Sequence, residues 1–302
     1  MKINYITLLG LTLATFTMSS CLKDYDPSDY APEKPIGGYS SSKEIAPDNL
    51  VAFWSFNGNL NDSIANLSAT GTNTSFTAGK KGQAYQGSAN GYAVIANAGT
   101  VIPALQSYSI SFWMNTTQPT KATGVFALNN SKDFWGNIDV YLESYVQKGV
   151  PNPDTAFFKV HMNNANAKWA GQFTDCKFGA AIGKWVHVGI TYNGDKSIFN
   201  IYANGTQIGV NTAGNPQGTK GPILNGDDPV TNKTPYGPLK FVNAASIVFG
   251  AFQFQTNPSL GSAGAQDWAT DFGGQLDEFR VYNKALSGDE INALYKLESL
   301  GR

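Results

Sequence analysis

The chain has 302 residues, enough for one large domain or two ordinary ones. Charged residues supply only 14% and aromatics 13%, with 32 glycines, a folded, turn-rich, β-leaning composition rather than a disordered one. A net charge of -1 gives no reason to expect nucleic acid as a partner.

Residues 1–20 read as a targeting segment. Lys2 is its positive start, and the apolar run from Ile6 to Phe16 is too short for a membrane span. Met18-Ser19-Ser20-Cys21 resembles a bacterial lipobox, which would make Cys21 the lipidated, mature N-terminus. Cys176 is the one other cysteine, so no intrachain disulfide is expected once Cys21 is acylated. Residues 21–46 read as a lipidated start and flexible linker, broken by Pro27, Pro32 and Pro35 and by the Gly37-Gly38 pair. Its acidic opening (Asp24, Asp26, Asp29) resembles the surface-export signal of Bacteroidetes lipoproteins; the plain alternative is a solvated periplasmic linker.

The folded domain is expected over residues 47–302. Val51 to Phe56 is an apolar run suited to a buried strand, and 57–66 a polar loop holding Asp62 and Asn66. Strands are expected at 108–115, 157–162 and 185–192, with an Asn204-Gly205 hairpin turn. Residues 163–178, with Trp169, read as a polar loop. Residues 211–239, with Asp227-Asp228 and Tyr236, read as a long insertion, and 244–255 as a return to strand. Trp268 falls in the loop before the last strand. In that strand alternation groups Asp277 with Phe279 and Val281 on a buried face, where a lone carboxylate is costly. Ser287 and Glu290 then form a capping box, and Ile291, Leu294 and Leu297 are spaced to dock a short helix that Gly301 can end.

The stretch FWGNIDVYLESY at 134–145 carries the most chemistry. Phe134, Gly136, Ile138, Val140 and Leu142 fall on one side as core. Trp135, Asn137, Asp139, Tyr141, Glu143 and Tyr145 fall on the other. Flat rings cover the C–H faces of sugars and amides or carboxylates bond their hydroxyls, so this side is the candidate ligand face, with Trp169 and Trp268 adding contacts from loops. An ordinary solvent-facing side of a sheet is the alternative.

Four stretches carry a family resemblance: LVAFWSFNGNLNDSIANLSATG, YSISFWMNT, GKWVHVGITYNGDKSIFNIYANGTQIG and GQLDEFRVYNKALSGDEINALY. Together they resemble the laminin-G-like, concanavalin A-like lectin/glucanase jelly rolls of bacterial surface proteins. The resemblance implies an all-β sandwich of two antiparallel sheets with adjacent first and last strands and a short C-terminal helix. It also implies a calcium ion near the first loop, for which Asp62, Asn66 and Asp277 are the matching residues; the alternative is that both carboxylates cap backbone N–H groups. Family 16 glucanases on this fold carry Glu-x-Asp-x-Glu. Here Asp139-x-Tyr141-x-Glu143 departs from that pattern, leaving Asp139 and Glu143 as the pair to consider if the chain is a hydrolase. Alternate strand residues lie about 6.6 Å apart, against about 5–5.5 Å for a retaining pair of carboxyls and 6.5–9.5 Å for an inverting one. His187 lies in a core strand, and no G-x-S-x-G elbow occurs. The expected protein is a lectin-like outer-membrane lipoprotein at the cell surface, binding polysaccharide or oligosaccharide and touching membrane only through its lipid. A protein-binding or structural module and a glycoside hydrolase are the alternatives.

Overall fold

The computed structural model describes residues 33–144, 154–167, 171–209, 223 and 234–302. Cys21, Tyr145, Trp169 and the Asp227-Asp228 pair lie outside the described residues. Sixteen strands and one α-helix are assigned among them. In chain order the strands are β1 (Leu50–Trp54), β2 (Thr70–Thr72), β3 (Ser75–Ala78), β4 (Gln83–Gln86), β5 (Tyr92–Ile95), β6 (Tyr108–Asn115), β7 (Ala122–Leu128) and β8 (Ile138–Leu142). There follow β9 (Ala156–Asn163), β10 (Gly171–Phe178), β11 (Val186–Asn193), β12 (Ile198–Ala203), β13 (Thr206–Gly209), β14 (Ile247–Phe249), β15 (Ala269–Asp271) and β16 (Gln275–Tyr282). The helix, α1, is Gly288–Ser299.

The strands form two sheets, giving the all-β sandwich that the sequence implies. One runs β13-β12-β11-β6-β16-β4-β3, with β1 also paired to β16, so first and last strands are neighbours. The other runs β10-β9-β8-β7-β14-β5-β2, antiparallel except for β15, which lies parallel to β7. Between the sheets Phe112, Phe126, Phe158, Phe249 and Phe279 make one aromatic-rich core; Phe279 stacks on Phe112 at 5.0 Å. The polar loop expected at 163–178 is in part strand β10, while only three residues of the expected 244–255 strand pair as β14.

Two expectations about the ends need correction. The compact unit begins at Pro35, not at 47. Ile36, Tyr39 and the fully buried Ile45 pack against Leu294 and Leu297 of α1, and Ser42 Oγ donates to the Arg302 carbonyl at 2.8 Å. In β16 the alternation breaks. Asp277 pairs with Trp113 and Arg280 with Ser111, so two residues of β16 oppose Phe112 alone, and Glu278 takes φ 49°. This β-bulge turns Asp277 outward while Leu276, Phe279 and Val281 face the core.

The outer face of the first sheet is closed by α1. Its capping box is formed: Ser287 Oγ accepts from Glu290 N at 3.2 Å and Ser287 N donates to Glu290 Oε2 at 2.7 Å. Gly189 lets the helix approach, since a Cβ there would stand 2.9 Å from the Ile291 side chain. Beneath the helix Glu298 accepts from Arg280 and from Trp113 Nε1, the latter at 2.7 Å.

Candidate functional site

The second sheet carries the residues expected to form the ligand face. Ile138, Val140 and Leu142 point into the core, so Asp139 and Tyr141 do stand on the outer side, as alternation requires. That side is not an open platform. Every residue of β8 is buried, because the segment after β14 folds across it. Gln253 pins this cover: its Nε2 donates to the carbonyls of Asp133 and Phe134, both at 2.9 Å, and its Oε1 accepts from Asn130 N at 2.7 Å. Phe252 and Phe254, stacked at 4.8 Å, then lie over Tyr141 and Phe134.

Each expected ligand-face residue therefore has a specific environment. Asn137 is fully buried; its Nδ2 donates to the carbonyls of Asn129 and Val242 and its Oδ1 accepts from Val242 N, so it ties loops together and does not face ligand. Asp139 is also sealed in. Its Oδ2 accepts from Gly136 N at 2.8 Å and lies 3.0 Å from His161 Nδ1. Burial pushes its carboxyl above the usual range, against the opposing pull of His161 and Gly136. Tyr141 is buried under Phe252 and stacks on Trp135 with ring centroids 5.9 Å apart.

What reaches the surface is smaller. Trp135 is half-buried, in ring contact with His161, Phe252 and Phe254, and Trp268 lies 6.1 Å from it with 38% of its surface exposed. Glu143 is paired with Lys159 at 3.2 Å, and the Lys159 ammonium sits 5.8 Å above the Tyr141 ring. The patch is thus two tryptophans on a packed aromatic base, beside one carboxylate–ammonium pair. Lys159, His161, Phe252 and Phe254 belong to it and were not expected from the sequence. The phenylalanines read there as plain strand; their alternation marks the covering segment. Tyr236, expected in a long loop, is buried and donates to the Met162 carbonyl.

The two carboxyls considered for a hydrolase lie in different settings. Asp139 is buried, and Glu143 is ion-paired with Lys159. The two carboxylates expected to hold calcium are engaged by backbone donors. Asp62 accepts from four backbone N–H groups, those of Phe53, Ile64, Ala65 and Leu67. Asp277 accepts from Lys81 N and Glu278 N, each at 2.8 Å, and burial pushes its carboxyl up to about 7. Both carboxylates thus take the backbone-capping role that the sequence also allowed. Asn66 is exposed in left-handed backbone, and no group of three or more His, Cys, Asp or Glu placed to hold a metal occurs among the described residues.

Comparison with known proteins adds three likenesses and one profile match. The profile of the Concanavalin A-like lectin/glucanases superfamily (Laminin_G_3) matches residues 86–245, just over half the chain. Domain 4 of AbnA, a GH43 extracellular arabinanase from Geobacillus stearothermophilus in complex with arabinotriose, superposes with a TM-score of 0.50 at 19% identity, over 82% of this chain and 98% of that one. The binding domain of Paraclostridial Mosquitocidal Protein 1 gives 0.53 at 16% identity, over 82% and 52%. A chain of botulinum neurotoxin type C, whose cell entry is described as dependent upon interaction with two ganglioside molecules, gives 0.54 at 15% identity, over 85% and 53%. This chain spans about half the length of the two toxin chains, and at these identities the likeness is one of fold. No curated protein matches the sequence.

Proposed function

This chain belongs to the concanavalin A-like lectin/glucanases superfamily, and from that premise we propose that it is a non-catalytic saccharide-binding protein of the cell surface. The observation that carries the reading is the pair of partly exposed tryptophans, Trp135 and Trp268, 6.1 Å apart beside Glu143 and Lys159. The indoles supply apolar surface for the C–H faces of a sugar. Glu143 accepts from hydroxyls and Lys159 donates to them. The base of packed rings holds the indoles in place, so little side-chain freedom is lost on binding. The arabinotriose bound to the arabinanase domain of like fold supports saccharide as the ligand class.

The carboxylate that the patch presents is ion-paired with Lys159, which supports capture without cleavage. Calcium has no part in this reading, because Asp62 and Asp277 are engaged by backbone donors. Lipidation at Cys21 and export to the outer face of the outer membrane rest on the sequence. No helix among the described residues is long and apolar enough to cross a membrane. A screen of the full chain against immobilised neutral glycans tests the function: retention without release of sugar supports it, release of sugar points to a hydrolase, and indifference to every glycan overturns it. Membrane fractionation tests the anchor, since Cys21→Ser is expected to move the protein to the soluble fraction and unchanged fractionation would exclude lipidation there.

A further inference from the structure

We infer that a cleft at the rim of the first sheet is a second saccharide site, one that takes a single neutral sugar residue. The cleft is open to solvent and offers about 290 Å³. Three of its side chains are amides on neighbouring strands: Gln86 at the end of β4, Gln275 at the start of β16 and Asn115 at the end of β6. Gln275 is the register partner of both others, so the three form one row across the sheet. Their chain neighbours Tyr85, Leu276 and Met114 face the core, which sets the amides on the outer side. Strands lie about 4.8 Å apart, so the row spans roughly 10 Å.

The amides are held yet keep hydrogen-bonding capacity. Gln86 Nε2 donates to the carbonyls of Gly87, Gly273 and Gly274 at 2.8, 2.9 and 3.3 Å. Asn115 Nδ2 donates to Gln275 Oε1 at 3.1 Å. Gln86 Oε1 and Asn115 Oδ1 therefore remain as acceptors and Gln275 Nε2 as a donor, with the exposed Thr117 hydroxyl beside them. Gly183 and Gly273 line the cleft with bare backbone, and a Cβ built on either meets nothing within 4 Å.

This chemistry selects its ligand class. Among the described residues no charged side chain lines the cleft, so neither an anion nor a metal ion finds a counter-charge there. An apolar ligand would leave the free groups of three amides without partners, which disfavours it. A neutral molecule with several hydroxyls spaced along a ring satisfies acceptors and donor together. The volume is at the lower bound of small-molecule sites, about 300–1,000 Å³, which suits one sugar ring.

The inference rests on the reading of the chain as a saccharide binder but uses none of the residues of the tryptophan patch. It is tested by NMR on the full chain with labelled Asn, Gln and Trp, titrated with free D-galactose, D-glucose and L-arabinose. Movement of the Gln86, Asn115 and Gln275 amide signals by one of these sugars, retained in Trp268→Ala and weakened at least tenfold in Gly273→Val, supports the cleft. If Gly273→Val does not fold, Gln275→Leu serves in its place. Movement of the Trp135 and Trp268 indoles alone overturns the cleft and leaves the patch standing. Movement of the amides alone does the reverse, and silence at both overturns both.

Discussion

Asp62 shows how much one side chain can organise. It is almost wholly buried, and its two oxygens accept from four backbone N–H groups, at 2.6 and 3.0 Å on Oδ1 and at 2.6 and 3.5 Å on Oδ2. The first loop is thereby sewn to β1. Asp62→Ala leaves buried donors unpaired, each worth roughly 1–3 kcal/mol, so a loss of at least ~3 kcal/mol is expected in urea denaturation. Wild-type melting is expected to be indifferent to chelator; a fall in melting temperature on chelation, abolished by Asp277→Asn, would restore the calcium reading. The polar loop and its Asp were legible in the sequence, because loop carboxylates reach their own backbone. Which amides they reach was not, because it depends on where Phe53 and Lys81 present their N–H groups.

At the scale of elements, α1 is the best-read part of the chain. Its start, cap and docking stripe are local signals and all three are formed. The strand before it was misread because one left-handed residue, Glu278, reverses the alternation after Asp277. That bulge places Arg280 under the helix with Glu278 and Glu298. His187 lies beside them, its Nε2 2.8 Å from Ser111 Oγ and 3.8 Å from Glu298 Oε2, and edge-on to Trp113. Burial, aided by the Arg280 charge, lowers the His187 pKa to about 3. The unfolded chain protonates this group near 6.5 while the fold does not, so stability is lost as pH falls from about 6.5 toward 3, by about 3 kcal/mol at pH 4. Asp277 and Glu298, both pushed up to about 7 by burial, act in the opposite sense, losing stability as pH rises from their unfolded values near 4 toward 7. The His187 contribution is isolated by comparing denaturation of the wild type and His187→Gln: the gap between them is expected to shift in favour of the variant on acidification. A gap constant with pH would show that His187 is already protonated in the fold.

For the molecule as a whole, the sandwich was legible because its strands repeat signals of a known family. The cover over the second sheet was not. Alternation put Asp139 and Tyr141 on the correct side of β8, but whether that side meets water is decided by residues more than a hundred positions away, Phe252 and Phe254. The rim amides, spread from Gln86 to Gln275, give no local signal at all. The domain boundary failed for a similar reason: Pro35, Gly37 and Gly38 read as linker, yet Ile36 and Ile45 complete the cluster around α1. Ile45→Ala is expected to cost roughly 2–5 kcal/mol, read as a lowered denaturation midpoint; a silent substitution would mean that the N-terminal segment is not part of the folding unit.

The central claim is that the exposed indoles over the second sheet bind saccharide, and Trp268 is its cleanest probe. Trp135 is a poorer one, since its ring packs against Tyr141, His161, Phe252 and Phe254 and its removal opens a cavity. The decisive measurement is calorimetric titration of the wild type and Trp268→Ala with the neutral oligosaccharide that the wild type retains, alongside a melting curve for each. One stacking contact is worth about 0.5–1.5 kcal/mol, so a loss of affinity approaching tenfold is expected with the fold intact. Equal affinity in a folded Trp268→Ala protein would contradict the account.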